Sequence, residues 1–251
     1  MIAHTDFSQI SLIVLAGLYA GTQNTLAGGG SFITFPTLML AGLNPLSANI
    51  TSTIALFPNQ ITSCLAGRKL AGGVGQTSLS KLFWLSVAGG LLGALLLLST
   101  PVSFFTRLVP WLVLFATIVF TWGSFRKKPL HVVNNIPVPV LAAVQFLIGI
   151  YGGYFGGGIG FLMLAILTIE GQQVRMATAT KNVLAMAMNA SAVALFAFSS
   201  QVDWIAAIAL ACGGIAGGFV GGWLVHRLPE KVMRGFVVLV GVVLTVWLFC
   251  R

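Results

Sequence analysis

Residues 21–30 read GTQNTLAGGG and residues 149–158 read GIYGGYFGGG, so one arrangement of glycines occurs twice at an offset of 128 residues. In both places a glycine is followed seven residues later by three consecutive glycines. Each triple glycine joins a long apolar segment to a short one, which is Ser31–Leu43 in the first copy and Ile159–Ile169 in the second. These glycines therefore mark corresponding places in two halves of the chain.

The composition around them excludes a soluble protein. Hydrophobic residues make up 57% of the 251 residues and charged residues only 7%, whereas about a quarter of a soluble domain is charged. The net charge of +9 comes from basic residues at the ends of apolar runs, which is typical of membrane anchoring and not of nucleic-acid binding. We therefore predict an all-α polytopic membrane protein whose main partner is the lipid bilayer.

The chain contains ten apolar segments, five before and five after a polar, proline-bounded stretch. Residues 1–125 form a first repeat, residues 126–137 a linker, and residues 138–251 a second repeat. The first five segments are Phe7–Ala27, Ser31–Leu43, Ala48–Leu65, Leu82–Leu98 and Phe105–Phe125. The second five are Val138–Phe155, Ile159–Ile169, Met176–Phe198, Trp204–Val225 and Val232–Phe249.

Three motifs relate the two halves in the same order. Besides the glycine clusters, Ala48-x-x-Thr51-Ser52 recurs as Ala177-x-x-Thr180-Lys181, and Gly89-Gly90-x-x-Gly93 recurs as Gly213-Gly214-x-x-Gly217. Because five crossings are an odd number, the second copy would enter the membrane from the opposite face. Such inverted repeats are typical of secondary transporters, in which they surround a central site.

The positive charges favour ten crossings with both termini in the periplasm and the linker in the cytoplasm. As helices, the two short segments would rise only about 16–20 Å, so each is either a re-entrant loop or a crossing that begins below the membrane surface. If they cross, nearly all basic residues lie on one side, as membrane proteins prefer. The inside residues are Arg68, Lys69, Lys81, Arg126, Lys127, Lys128, Arg175, Arg227, Lys231 and Arg234, with Arg107 and Arg251 outside.

The glycine clusters are candidates for an anion site. Irregular backbone inside a membrane must line a cavity, and the helix that starts there offers free N–H groups and the positive end of its dipole. Two such helix beginnings would converge from opposite sides. The alternative is that the triple glycines only allow close helix packing. The candidate residues are Gly28, Gly29, Gly30, Gly156, Gly157 and Gly158.

Polar side chains on the third and eighth segments would complete this site. Thr51, Ser52 and Thr180 would supply hydroxyl donors, and Lys181 a positive charge. Lys181 either faces the cavity or extends to the cytoplasmic surface, because an ammonium in hydrocarbon is costly. The neutral candidates are Asn24, Asn59 and Asn189, within a wider polar cluster of Asn49, Thr53, Gln60, Thr178 and Asn182.

Other small residues indicate packing. Gly213, Gly217 and Gly221, like Gly214, Gly218 and Gly222, follow the i, i+4 spacing that brings membrane helices close together. This glycine stripe could also serve a homo-oligomer interface. Cys64, Cys212 and Cys250 match no metal or redox spacing, and we expect them to be small core residues.

The acidic residues argue against a cation carrier and an enzyme. Asp6, Glu170, Asp203 and Glu230 all fall at segment ends, whereas cation carriers rely on buried carboxylates. No catalytic triad, carboxylate pair or metal-ligand set is recognisable, so we predict no enzyme, no metal and no cofactor.

The paired motifs resemble those of the sulfite exporter TauE/SafE family, also called the four-toluene-sulfonate uptake permease family. The resemblance is clearest over residues 15–69 and 140–199. It implies transport of sulfite, sulfoacetate or other sulfonates across the bacterial inner membrane. Two departures are that Lys181 stands where the family has serine, and that Leu164 stands at the position matching Pro36.

Together these observations predict a secondary transporter for a small anion that works by alternating access. Two alternatives remain: a passive anion channel, and a non-transporting scaffold or accessory subunit. The coupling ion and the direction of transport do not follow from the sequence.

Overall fold

The chain folds into α-helices at the places where the apolar segments lie. The computed structural model describes residues 7–26, 29–125, 136–224 and 230–250. Within these ranges the helices are α1 Phe7–Leu26, α2 Ser31–Leu40, α3 Pro45–Gly67, α4 Leu79–Ser99, α5 Val102–Phe125, α6 Val138–Tyr154, α7 Ile159–Ile169, α8 Val174–Phe196, α9 Trp204–Leu224 and α10 Glu230–Cys250. The prediction of ten helical segments is therefore confirmed. Most of the linker lies outside the described residues.

Local sequence explains where the longer helices begin. Asn44 accepts a hydrogen bond from the Ser47 N–H at 2.9 Å, and Pro45 occupies the first helical position, so α3 starts three residues before its apolar run. Ser78 caps α4 in the same way by accepting from the Lys81 N–H. These two polar caps extend the helices beyond the apolar segments that predicted them.

Within the described residues, two helices are both long and apolar enough to cross a membrane on those criteria alone, Leu79–Ser99 and Val102–Gly123. The outer surface is apolar beyond these two helices. Large apolar side chains are exposed on α1, α4, α5, α9 and α10, for example Leu15 at 62% and Trp111 at 61%. Such a surface is expected where lipid is the solvent. The number of crossings and their inverted orientation stay predictions.

Helices of one half pack in pairs against helices of the other half. α1 packs along the length of α9, and α4 packs along α6, while α3 and α8 pack against each other and α5 packs against α10. The short helix α2 contacts α1, α3 and α10, and the short helix α7 contacts α5, α6 and α8. Since α1 corresponds to α6 and α4 to α9 in the repeat, the two long pairs are counterparts of each other.

The glycine stripe lies at one of these contacts. A Cβ on Gly213 would collide with the backbone carbonyl of Val14, and one on Gly217 with that of Leu18. In the other pair, Gly89 and Gly93 of α4 approach the backbone of α6 equally closely. The interpretation of these glycines as packing residues agrees with the contacts inside the chain.

The expectation for the cysteines is right for one residue and wrong for two. Cys64 is buried, but Cys212 and Cys250 are exposed. Both lie on outer helices that have apolar faces, where a small apolar side chain is compatible with lipid.

Candidate functional site

A cavity of about 550 Å³ lies between the short helices α2 and α7 and the polar faces of α3 and α8. It brings together residues from both halves of the chain. The sequence-predicted site residues that line it are Asn24, Gly29, Ser52, Asn59, Gly156, Gly157, Gly158, Lys181 and Asn189. Gly28 lies outside the described residues.

The second glycine cluster forms one wall of this cavity. Gly156 and Gly158 have positive φ angles of 80° and 75°, a conformation that glycine adopts without the steric cost of a Cβ. The turn that they form ends α6 and starts α7 at Ile159. Within the described residues no hydrogen bond satisfies the N–H groups of Ile159 and Gly160 in the first turn of α7. The positive end of this helix therefore borders the cavity.

Lys181 of α8 lies against the same turn. A Cβ built on Gly160 would be 3.5 Å from Lys181 Cδ and 3.7 Å from its Nζ. Of the two interpretations of this residue, the geometry favours the cavity. An ammonium beside the positive end of a helix is electrostatically unfavourable unless an anion lies nearby.

No carboxylate neutralises Lys181 among the residues whose side chains the structure describes. Glu170 uses Oε1 to accept from the Ile136 N–H at 3.0 Å. Asp203 caps α9 by accepting from the Ala206 N–H at 2.9 Å. The positive potential in this wall is therefore free to attract an anion from solution.

The first glycine cluster differs from the second. Gly30 does not line the cavity, and its N–H donates to Asn24 Oδ1 at 2.8 Å. The Asn24 side chain thus occupies the N–H of Gly30, the residue that precedes α2. Its counterpart in the second half is Gly152, which has no side chain to do this. The expectation of two equivalent, free helix beginnings is corrected. Within the described residues, the N–H groups of Ile159 and Gly160 at the start of α7 are free, whereas the Gly30 N–H before α2 is already bonded to Asn24.

The expectation that Thr51 and Thr180 contribute hydroxyls to the cavity is wrong. Both are fully buried and do not line it. Thr51 Oγ1 accepts from the Asp203 N–H at 3.1 Å. Thr180 Oγ1 accepts from the Gly72 N–H at 3.1 Å and donates to the Gly72 carbonyl at 3.2 Å. Each threonine holds the loop that precedes a helix of the other half.

The remaining predicted side chains do reach the cavity, but several are already engaged. Ser52 Oγ lies 2.6 Å from Thr34 Oγ1 of α2. Asn189 Nδ2 donates to Gln60 Oε1 at 2.8 Å, which joins α8 to α3. The wider polar cluster predicted from the sequence also lines the cavity, through Asn49, Thr53, Gln60, Thr178 and Asn182. Arg175 lines it as well, although the sequence indicated only a cytoplasmic charge at this position. The i, i+3, i+7 spacing of Arg175, Thr178 and Asn182 would have placed Arg175 on this helix face.

The two ends of the cavity differ in exposure. At the end where α3 finishes and α8 begins, Arg175 and Thr178 are exposed, and Leu70 nearby is 51% exposed. At the opposite end Asn49 is buried and its Nδ2 donates to the Tyr154 carbonyl at 3.0 Å. The cavity is therefore open at the first end and closed at the second.

Aromatic side chains complete the closed end. Phe35 of α2 and Phe155, which follows α6, make an edge-to-face contact with ring centroids 5.8 Å apart. Ser47 Oγ also donates to Gln201 Oε1 at 2.9 Å, which ties the start of α3 to the loop before α9. Together with the Asn49 bond, these contacts close the path between α2, α3 and α6.

Comparisons with known proteins agree with this architecture. The chain is 28% identical to a probable membrane transporter protein, ORF9, of Sinorhizobium sp. over 96% of its own length and 92% of that protein. It is 28% identical to one from Haemophilus influenzae (94% and 92% covered) and 24% identical to YfcA of Escherichia coli K12 (94% and 88% covered). No solved structure matches the chain.

A family model matches almost the whole chain. The model is described as sulfite exporter TauE/SafE, and it covers residues 13–248, including both glycine clusters and every helix that lines the cavity. The chain belongs to the sulfite exporter TauE/SafE family of membrane transporters.

Proposed function

We propose that this protein is a secondary transporter that moves a small oxyanion, such as sulfite, sulfoacetate or another organosulfonate, across the bacterial inner membrane by alternating access. The observation that carries the proposal is the position of Lys181 over the first turn of α7. An oxyanion between them would accept hydrogen bonds from backbone N–H groups and from an ammonium, which are strong when one partner is charged. A cation would be repelled by both.

The family assignment supports the class of substrate. Sulfite is the anion named in the description of the matching family model. The proposed binding needs no covalent step, so it requires neither an enzymatic activity nor a cofactor.

The unequal ends of the cavity support alternating access. With the N-terminus in the periplasm, the end lined by Arg175 and Thr178 would face the cytoplasm, and this conformation would be inward-open. Thr178 is the counterpart of Asn49 at an offset of 129 residues, yet within the described residues its hydroxyl bonds only to the Val174 carbonyl of its own helix. In the outward-open state we expect Thr178 to close the cytoplasmic end while the bond from Asn49 to Tyr154 breaks.

A carrier explains the closed end better than either alternative does. An open channel needs a continuous path, and a scaffold needs no polar cavity next to an unpaired lysine. In the inverted arrangement, exchanging the conformations of the two halves would move the opening from one side to the other.

Binding by the purified protein tests the proposal. We expect sulfite or sulfoacetate to raise the melting temperature in a saturable way, whereas choline should not. Lys181→Ala should weaken binding at least tenfold, while Lys81→Ala, which removes an exposed charge outside the cavity, should bind like the wild type. Equal binding by Lys181→Ala and the wild type, or no shift with any oxyanion, would reject the proposed site.

A further inference from the structure

Gln60 of the first half and Asn189 of the second half contact each other between the two halves of the chain. They are 129 residues apart, the same offset that relates Thr51 to Thr180 and Ser52 to Lys181. They are therefore counterparts, and they are hydrogen-bonded to each other between α3 and α8 at 2.8 Å. Two counterparts can only touch near the axis that relates the two halves.

The bond between them leaves one group of Gln60 unused. Its Oε1 accepts from Asn189 Nδ2, but within the described residues no hydrogen bond occupies its Nε2. Gln60 is partly exposed and lines the cavity, so its two free N–H bonds are accessible there. Asn189, by contrast, is only 4% exposed, and its role is to hold Gln60 in place.

Position on the axis has a consequence for transport. When two halves rotate against each other, residues on the axis move least, and their environment is similar before and after the exchange. The wall of α7 and Lys181 belongs to one half only, and its distance from the cavity centre would change between the two states. A donor on the axis would keep its contact with the substrate throughout the cycle.

We propose that Gln60 is a specificity-determining residue that donates its free amide N–H bonds to the transported anion in both access states. This inference rests on the proposed function. It adds Gln60, on α3, to the residues that contact the anion. Lys181 supplies charge from one wall, and Gln60 supplies neutral donors at the axis. Neutral donors bind an oxyanion without adding a second buried charge that would slow its release.

Two substitutions separate the donor role from the structural bond. Gln60→Glu keeps an acceptor for Asn189 Nδ2 but replaces the free donors by carboxylate oxygen. Gln60→Met has similar length and no donors. The control Asn189→Ala removes the bond between the helices but leaves the donors of Gln60 in the cavity.

The experiment measures half-saturation for sulfoacetate in proteoliposomes from both sides of the membrane. We expect Gln60→Met to raise the half-saturation concentration at least tenfold on both sides, and Gln60→Glu to raise it further while retaining the wild-type melting temperature. Asn189→Ala should lower the melting temperature with a smaller change in half-saturation.

Two results would overturn the inference. One is unchanged half-saturation in Gln60→Met, and the other is a change on one side of the membrane only, which would place Gln60 in a single access state. Failure of the proposed function gives a different result, because the wild type itself would then show no saturable uptake.

Discussion

At the level of single residues, two threonines that look alike in the sequence have different surroundings in the structure. Thr178 and Thr180 lie two positions apart on α8, yet one is exposed at the open end of the cavity and the other is fully buried against Gly72. Helix periodicity explains the difference, because successive positions on a helix point about 100° apart.

This difference predicts unequal costs of substitution. Thr180→Val removes both hydrogen bonds to Gly72 and leaves the partly buried Gly72 N–H without this acceptor, so we expect it to lower the free energy of unfolding by about 1–3 kcal/mol. Thr178→Val loses only a bond to its own helix, and its effect should stay within about 0.5 kcal/mol. Reversible unfolding in detergent, followed by circular dichroism, measures both.

The two variants also test the corrected role of Thr180. If Thr180→Val kept wild-type stability but lost anion binding, the hydroxyl would contact substrate, and the assignment to the loop would fail. The sequence could predict that Lys181 and Asn189 line the cavity, because polar side chains are rare in membrane helices. It could not exclude Thr180, since no local pattern tells which loop of the other half covers it.

At the level of elements, the start of α7 is the part of the site that depends most on backbone conformation. Gly158 has a φ of 75°, and a Cβ there would lie 3.2 Å from the Ala116 carbonyl oxygen. We expect Gly158→Ala to destabilise the protein by about 1–2 kcal/mol. Gly235→Ala in α10 is the control, because a Cβ there has no neighbour within 4 Å.

The melting temperature and anion binding of the two variants should therefore differ. Gly158→Ala should lower both, because it disturbs the turn that exposes the N–H groups of α7, whereas Gly235→Ala should behave like the wild type. Normal binding by a stable Gly158→Ala protein would show that this turn is not needed for the site.

The contact between α1 and α9 gives a second prediction for elements. Gly217→Ala would push a methyl group into the Leu18 backbone, and overpacking of this kind costs about 1–3 kcal/mol. Ala216→Leu, on the exposed face of α9, should be tolerated. Thermal unfolding distinguishes them, and equal effects would mean that the α1–α9 contact does not depend on glycine.

Sequence predicted the elements more fully than the site. The apolar segments fixed the number of helices, and the triple glycines fixed the short ones. The unequal start of α2 was not predicted, because the effect of Asn24 depends on its side chain folding back onto Gly30 across a turn of six residues. The same glycines in the second copy lack that side chain, which repeat patterns alone do not reveal.

At the level of the whole molecule, the proposed orientation predicts that the two ends of a crossing helix are accessible from opposite sides of the membrane. Gln76 lies before α4 and Ser103 lies in the first turn of α5, and both are exposed. The substitutions Gln76→Cys and Ser103→Cys therefore place a reactive thiol at each end of α4. A membrane-impermeant thiol reagent added to intact cells should label Ser103→Cys and not Gln76→Cys. Labelling in inverted vesicles should reverse.

These single-cysteine proteins need a background without Cys64, Cys212 and Cys250, of which the last two are exposed. The reverse labelling pattern would place the open end of the cavity in the periplasm. Labelling of both positions from the same side would contradict a crossing of the membrane by α4, which lies between them.

The whole-molecule architecture follows from the sequence only in part. The offsets of 124–129 residues between the paired motifs predicted that the halves are copies, and the pairing of α1 with α9 and of α4 with α6 relates equivalent helices. The open and closed ends did not follow from the sequence. A sequence repeat shows only that two halves are alike, whereas the two halves of a carrier have different conformations in any one access state.

Counterflow in proteoliposomes distinguishes an anion carrier from a channel or a scaffold. Vesicles loaded with unlabelled sulfoacetate or sulfite are diluted into the labelled anion, and transient accumulation of label above equilibrium requires a carrier that exchanges one bound anion for another. We predict such an overshoot for the wild type and for Lys81→Ala, and its loss in Lys181→Ala. Uncoupled conductance without an overshoot, or an undiminished overshoot in Lys181→Ala, would contradict an anion carrier built around α7 and Lys181.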